Sequence, residues 1–395
     1  MSKIKRPLLS RDTRATIDAC RSFGADVVEK NPLEIKSGLP LKVPDNVVNV
    51  ENSGTTLRLM TSVSALAPKG YSVLTGDASI RTRPMLPLLK ALNRIGVRCW
   101  STRSNGCAPI IVEGGGICGG SVSILGEVSS QFISSLLIAT PLANRKTQVK
   151  IEGKSVSRPY LDATMKMIEY FGGEIEEKIN GVFNISPNQQ YSSKTFVVPG
   201  DFSSGSTILL AGAVAGGEVS VEGFDFSLPQ GDMVIVDILR SMGVKVSVNR
   251  RMGKVTVTGS SNLNGGAFNL VDTPDLLPVV ALLACKSEKK VVITGVKHAR
   301  FKETDRVSVL AQELPKLGVQ IKEFDDGLEI VGRRYFKNCT LDAHDDHRMA
   351  MVFSIAGLSS REGCWVAGFE SVDVSYPGFA QDIHKLGGCL QVVAD

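Results

Sequence analysis

RPMLPLLKALNRIGV, residues 83–97, reads as a one-sided helix that closes on a glycine. Met85, Leu88, Leu89, Leu92 and Ile95 recur at helical spacing, and Gly96 supplies a left-handed cap. The same ending, an apolar residue followed by Gly and a small residue, recurs at Gly24, Gly172, Gly243, Gly318 and Gly387. From Gly24 onward the six glycines are spaced 72, 76, 71, 75 and 69 residues apart. A second stretch, a polar turn running into an apolar helix, starts near Gly54, Ser130, Ser204, Asp275 and Asp346, at intervals of 76, 74, 71 and 71. A fixed period of this length marks repeated supersecondary units, each needing neighbours to bury its core. Six endings against five starts place the partner of the Gly24 helix about twenty residues before Met1 at the repeat's own period. The expectation is a first unit that is N-terminally incomplete.

Short β-branched runs lie between the helices: Val122–Leu125, Thr147–Ile151, Val219–Val221, Val244–Val248, Val255–Val257 and Val291–Thr294. Each unit therefore reads as strand-helix-strand-helix followed by strands, an α/β class. Three units on either side of Pro199-Gly200 give two domains, 1–198 and 199–395, with the polar stretch Pro187–Lys194 as part of the crossing. The helix Lys302–Leu317 carries Val307, Leu310, Leu314 and Leu317 on one side, and Pro315 should disturb its last turn. Leu57–Leu66 and Leu276–Ala284 are apolar nearly all round, as buried helices are.

Composition sets limits. With 395 residues and 43% hydrophobic content the chain can bury a large core, while 6% aromatics and 39 glycines fit helices and strands joined tightly. The net charge of +5 is scattered, without basic runs interleaved with aromatics, so a basic cleft for small anions suits it better than nucleic acid. Its eight cysteines show no CxxC spacing and read as reduced thiols. Without a signal peptide or a membrane-length apolar run, the expectation is a cytoplasmic protein.

The helix starts carry the chemistry. Gly54-Thr55-Thr56-Leu57-Arg58 offers free amides and an arginine, Ser129-Ser130-Gln131 opens the next helix, and Asp345-Asp346-His347-Arg348 the last. Lys302 and Arg306 stand four apart, on one face of their helix. Cations at helix N-termini oppose the macrodipole, and a bound anion shared by amides, dipole and arginine would resolve the conflict. The plainer reading is that Glu303, Asp305 and Asp346 cap these helices and the cations form surface pairs. Gly114, Gly116 and Gly119 satisfy G-x-G-x-x-G, but a strand rather than a helix follows them, so a dinucleotide site fails its context. His344 and His347 form H-x-x-H without further ligands, so no metal site is expected, and no G-x-S-x-G elbow is present.

NSGTTLR (Asn52–Arg58), LTGDASIRTRP (Leu74–Pro84), SSQF (Ser129–Phe132), SRPY (Ser157–Tyr160), PGDFSSGS (Pro199–Ser206), TPDLLP (Thr273–Pro278), FKETDR (Phe301–Arg306) and DDHRMAM (Asp345–Met351) follow one another in this order. Together they resemble the EPSP synthase, or 3-phosphoshikimate 1-carboxyvinyltransferase, family over essentially the whole chain. The resemblance implies a two-domain inverted α/β barrel, each domain of three βαβαββ-type units, closing on substrate between the domains. It implies enolpyruvyl transfer from phosphoenolpyruvate to the 5-hydroxyl of shikimate 3-phosphate, with no cofactor, in a monomer inhibited by glyphosate. Arg83, Arg306 and Arg348, with Gln131, match phosphoenolpyruvate ligands. Ser129, Ser130, Ser157 and Lys302 match shikimate 3-phosphate ligands, with Tyr160 lining that site. Asp275 matches the carboxylate at the 5-hydroxyl and Glu303 the proton donor and acceptor at C3. Asn52, Gly54, Arg58 and His347 support them, His347 by orienting Glu303 or a phosphate. Asp275 can also be read as an N-cap of its apolar helix.

The chain departs from the family at three places. The opening P-x-K-S-x-x-x-R segment has no counterpart before Arg6–Thr13, His298 stands where many members have Asn, and Val374 stands where some have Lys. Two alternatives stay open: a truncated, inactive shikimate 3-phosphate-binding protein, and a UDP-N-acetylglucosamine enolpyruvyl transferase.

Overall fold

The six closing glycines all adopt the left-handed backbone: φ is 100° at Gly24, 89° at Gly96 and Gly172, 88° at Gly243 and Gly387, and 87° at Gly318. A side chain there would crowd the following carbonyl, which is why the repeat keeps glycine. They follow the helices Arg11–Ser22, Leu86–Arg94, Arg158–Tyr170, Ile235–Ser241, Arg306–Glu313 and Phe379–Lys385. The computed structural model describes residues 1–395 except 37, 39, 179, 180, 261, 394 and 395.

The second kind of helix is the core. Gly54–Ser64 and Ser130–Ala139 pack together in one unit, and Phe202–Ala215, Leu277–Cys285 and His347–Leu358 in the other. Every residue of Leu277–Cys285 is buried, as expected for a helix without a polar face. Small hydroxyl residues allow the first pair to approach: Ser62 Oγ lies 2.6 Å from Ser135 Oγ, and Ser135 also donates to the Arg58 carbonyl.

Three repeats show the full βαβαββ pattern. In one, Gly120–Leu125 lies parallel to Thr147–Glu152, which pairs antiparallel with Val182–Ile185 and that with Ile175–Lys178. Parallel neighbours require a crossover, which the Ser130–Ala139 helix provides. The strands Val48–Asn49, Tyr71–Thr75, Ile110–Glu113 and Cys99–Ser101 repeat that order, as do Gly266–Asn269, Val291–Thr294, Gly327–Val331 and Gln320–Phe324. All six β-branched runs expected from sequence fall in strands, except that Val244 lies just before Lys245–Asn249. The strand Gly120–Leu125 stands where a dinucleotide-binding helix would have to start.

The first sheet is completed from the far end of its unit. Thr195–Val197 lies parallel to Ser2–Lys5, in the place that the strand before the core helix takes elsewhere. The stretch Pro187–Lys194, expected to be part of the crossing, instead carries the chain back to this sheet. The chain divides into two compact units, Met1–Val198 and Pro199–Asp395. Among the described residues no helix is long and apolar enough to cross a membrane.

Two helix boundaries differ from expectation. Residues 302–305 are not helical: a 3-10 turn, Lys297–Phe301, precedes them, and the helix begins at Arg306 with Asp305 as its N-cap. Lys302 and Arg306 therefore do not share a helical face. Pro315 ends the α-helix at Glu313 and turns Leu314–Leu317 into a 3-10 turn.

Candidate active site

In the N-terminal unit two guanidinium groups converge over one glycine. A Cβ on Gly54 would stand 2.7 Å from Arg83 Nη1 and 3.1 Å from Arg58 Nη1. Both arginines are nearly buried. Arg83 sits in extended backbone after the 3-10 turn Ile80–Thr82 and donates to Asn52 Oδ1 (3.0 Å) and Ser79 Oγ (3.2 Å). Asn52 donates in turn to Asp77 Oδ2 at 2.6 Å. Arg58 donates to Gln131 Oε1 and lies over the Phe132 ring, and Gln131 Nε2 donates to Thr55 Oγ1 at 2.8 Å. The structure thus joins Asn52, Gly54, Arg58, Arg83 and Gln131.

The serines stand at helix starts in the same unit. Ser129 caps the Ser130–Ala139 helix by accepting from the Gln131 amide, and Ser130 is buried in its first turn. Ser157 precedes Arg158–Tyr170 in the left-handed region (φ 56°, ψ 41°), and its hydroxyl does not cap that helix. A non-glycine residue held so is strained, and such strain clusters at functional sites. Tyr160 lies half-buried in the first turn, next to an Arg158 that is committed to Glu177 and Asp162.

The C-terminal unit holds a dense charge cluster. Arg306 is 1% exposed, and its guanidinium meets three carboxylates. Nε donates to Asp346 Oδ2 and Nη1 to Asp275 Oδ1, both at 2.7 Å, and Nη2 donates to Glu303 Oε2. Asp346 is fully buried and caps the His347–Leu358 helix through the Arg348 amide. Asp275 is ringed by cations: besides Arg306, Lys302 Nζ lies 3.5 Å from Oδ1 and Arg348 Nη2 3.3 Å from Oδ2. Burial opposes ionisation of Asp275, but Arg348, Lys302 and Arg306 outweigh it and hold the carboxyl well below the usual range.

Neither reading of the helix starts holds whole. Asp305 and Asp346 do cap helices, but Arg306 is no surface residue. Asp275 is not an N-cap: it lies inside the 3-10 turn Pro274–Leu276, and no side chain caps that turn or the helix Leu277–Cys285. Both buried histidines are neutral. Burial lowers His347 to about 4, against Asp346 and Glu303, and lowers His298 to about 4 with help from Lys302. His347 Nδ1 and His298 Nε2 are buried without a hydrogen bond. Val374 lies buried in the 3-10 turn Phe369–Val374.

Sequence reading missed two members of this cluster. Ser203 accepts a hydrogen bond from Arg348 Nη1, and Asp232 lies buried beside it. The period could have found Ser203, which precedes Ser204 as Ser129 precedes Ser130. Asp232 left no such signal.

The sequence profile of the family EPSP synthase (3-phosphoshikimate 1-carboxyvinyltransferase) matches residues 1–383. The chain belongs to the EPSP synthase family. It is 47% identical over 394 residues to a 3-phosphoshikimate 1-carboxyvinyltransferase of Methanocella arvoryzae, covering 99% of this chain and 92% of that one. One of the same name from Methanosarcina acetivorans is 45% identical over 399 residues, covering 100% and 92%. Among solved structures, EPSP synthase from Acinetobacter baumannii superposes with TM-score 0.80 at 26% identity, covering 100% of this chain and 91% of that one. The enolpyruvyl transferase NikO from Streptomyces tendae shares the fold, with TM-score 0.79 at 17% identity over 99% of this chain and 90% of that one. The family's two-domain α/β architecture is therefore that of this chain.

Proposed function

We propose that the chain transfers the enolpyruvyl group of phosphoenolpyruvate to the 5-hydroxyl of shikimate 3-phosphate, a step of aromatic amino-acid (chorismate) biosynthesis. The products are 5-enolpyruvylshikimate 3-phosphate and phosphate. The observation that carries this reading is Asp275, a carboxylate ringed by Arg306, Lys302 and Arg348 in a chain of this family.

Protonation of C3 makes C2 of phosphoenolpyruvate electrophilic, and the 5-hydroxyl adds there as it gives up its proton. The tetrahedral intermediate then loses a proton from C3 and expels phosphate. Glu303 gives and retakes the C3 proton, and Asp275 accepts the hydroxyl proton. Among its three cations Asp275 is ionised but only weakly basic. Phosphate and carboxylate groups of the substrates compete for Lys302 and Arg348, and each cation drawn away raises the basicity of Asp275. The base is thereby strengthened when the hydroxyl arrives.

Arg83, Arg306 and Arg348, with Gln131, receive phosphoenolpyruvate, since planar guanidinium groups suit both its phosphate and its carboxylate. Ser129, Ser130, Ser157, Tyr160, Lys302 and His298 receive shikimate 3-phosphate. Asn52 holds Arg83, Gly54 leaves the space in which Arg83 and Arg58 converge, Arg58 holds Gln131, and neutral His347 faces Glu303. The reaction involves no metal or organic cofactor. The protein acts as a cytoplasmic monomer, with glyphosate as an inhibitor.

Phosphate release by the purified chain, given both substrates, tests the proposal. Release that needs shikimate 3-phosphate and phosphoenolpyruvate together is the expected result. Turnover with UDP-N-acetylglucosamine instead would sink the choice of acceptor, and no release from a folded chain would leave the binding-only reading.

A further inference from the structure

Asp232 belongs to none of the sequence motifs, yet it is 4% exposed at the edge of the charge cluster. Its loop is clamped there by Gln230, whose Oε1 accepts from the Phe202 amide and whose Nε2 donates to the Gly200 carbonyl, both at 3.0 Å. Asp201 fixes the first turn of the adjoining helix by accepting from the amides of Ser203 (3.0 Å) and Ser204 (2.8 Å). Ser203 shares a hydrogen bond with Asp232 and also meets Arg348 Nη1. On its other side, Arg348 Nη2 lies 3.3 Å from Asp275 Oδ2.

The donor count fixes the direction of this chain. A guanidinium can only donate, so Ser203 Oγ accepts from Arg348 and its own hydrogen is left for Asp232. We propose that Asp232 and Ser203 are positioning residues for Arg348: Asp232 takes the Ser203 hydroxyl hydrogen, and the Ser203 oxygen then holds the guanidinium plane against Asp275. This rests on Arg348 being a phosphoenolpyruvate ligand.

The charges around Asp232 make the hold sensitive to pH. Burial, then Asp275, then Asp201 push its carboxyl up to about 7, while Arg348 and Ser203 favour the ionised form. Ionised Asp232 can only accept, which enforces the Ser203 orientation. Protonated, it becomes a donor competing with Arg348 for the same oxygen. The hold is therefore strongest above neutrality and weakens as the pH falls through about 7.

Ser203→Ala, Asp232→Asn and Arg348→Lys test this in the full chain, by steady-state phosphate release with each substrate varied in turn. Losing one hydrogen bond to a charged group corresponds to about a tenfold change. Ser203→Ala should thus raise KM for phosphoenolpyruvate about tenfold, with KM for shikimate 3-phosphate and Tm nearly unchanged. Asp232→Asn should flatten the part of the pH dependence of that KM that the unmodified chain shows near neutrality. An unchanged KM for phosphoenolpyruvate in Ser203→Ala, equal rises for both substrates, or an unaltered pH profile in Asp232→Asn would overturn the proposal. If Arg348→Lys leaves KM for phosphoenolpyruvate unchanged, the assignment of Arg348 falls instead. Calorimetric titration with phosphoenolpyruvate alone gives the same comparison without turnover.

Discussion

Replacing Arg306 by Met should destabilise the C-terminal unit by about 3–5 kcal/mol, the usual cost of removing one partner from a buried ion pair. Met keeps much of the side-chain volume, so the cavity contribution is small and the cost is electrostatic. The largest share falls on Asp346, which is fully buried and would keep the Arg348 amide (2.9 Å) and the Thr304 hydroxyl (3.5 Å). Asp275 would still have Lys302 and Arg348. At about 2–4 °C per kcal/mol for a unit of this size, the transition should fall by about 6–20 °C at neutral pH. Scanning calorimetry of both chains from neutral to acid pH supplies the sign. In the unmodified chain Asp275 is held below its ordinary value, so its contribution is present above about pH 4 and lost as the pH falls through the folded value. In the variant the crowded carboxylates gain less from ionising, so the gap between the chains should narrow towards acid. A fall in Tm under about 2 °C at neutral pH, or a gap that widens on acidification, would refute the reasoning.

Gly54→Ala should leave Tm nearly unchanged, because Gly54 begins a helix in ordinary backbone, but its methyl would meet Arg83 Nη1 at 2.7 Å. We expect kcat/KM to fall about tenfold or more, as for a displaced charged hydrogen bond, and an unaltered value would show that Arg83 does not act from this position. Ellman titration of the native chain should modify exposed Cys118 and Cys389 first, while burial that pushes Cys99 up to about 12 and raises Cys285 further keeps both silent until unfolding. Reaction of Cys285 at the rate of Cys118 would contradict this. The imidazole proton signals of His298 and His347 should not titrate between about pH 5.5 and 8, since both are lowered to about 4. Their burial as neutral rings stabilises the fold above about pH 6.5, and that share is lost as the pH falls from there towards about 4. Titration of either ring near its ordinary value would count against the burial.

The repeat was legible because its signal is backbone chemistry: a glycine at φ near 90° cannot be exchanged cheaply, so six of them survive at one period. Strands with alternating burial, such as Thr147–Glu152, were legible for a similar reason. Thr195–Val197 was not, being three residues long with no buried position, and only its partner Ser2–Lys5 makes it a strand. The start of the Arg306 helix was hidden because Lys302, Glu303, Thr304 and Asp305 offer no apolar position to tell a non-helical stretch from a first helical turn, and the structure leaves them outside the helix with Asp305 as its N-cap. Motifs named the charged residues but could not say which cation meets which carboxylate. That pairing joins Arg306 to Asp346 and Asp275 across 40 and 31 residues, and Asp232 lies on a single 3-10 turn, Gly231–Val234, with no period to read.

The sequence set cations against the helix dipole, and the C-terminal unit answers the conflict with its own carboxylates, though not with equal firmness everywhere. Arg306 and Asp346 are 1% and 0% exposed, so parting them would leave two uncompensated buried charges. Around Asp275 the partners are looser: Arg348 is 17% exposed and Lys302 29%. Water already shares in those pairs, so an arriving anion gives up less to displace them. Substrate charge should therefore draw on Arg348 and Lys302 first, while Arg306 stays anchored by Asp346 and offers only its Glu303 and Asp275 side. The two roles separate experimentally. Changes at Arg348 and Lys302 should move KM with little effect on Tm, and changes at Arg306 should move Tm most. Equal loss of Tm at all three positions would mean that the cluster is one rigid structural unit, and the strengthening of Asp275 by release of its cations would have to be abandoned.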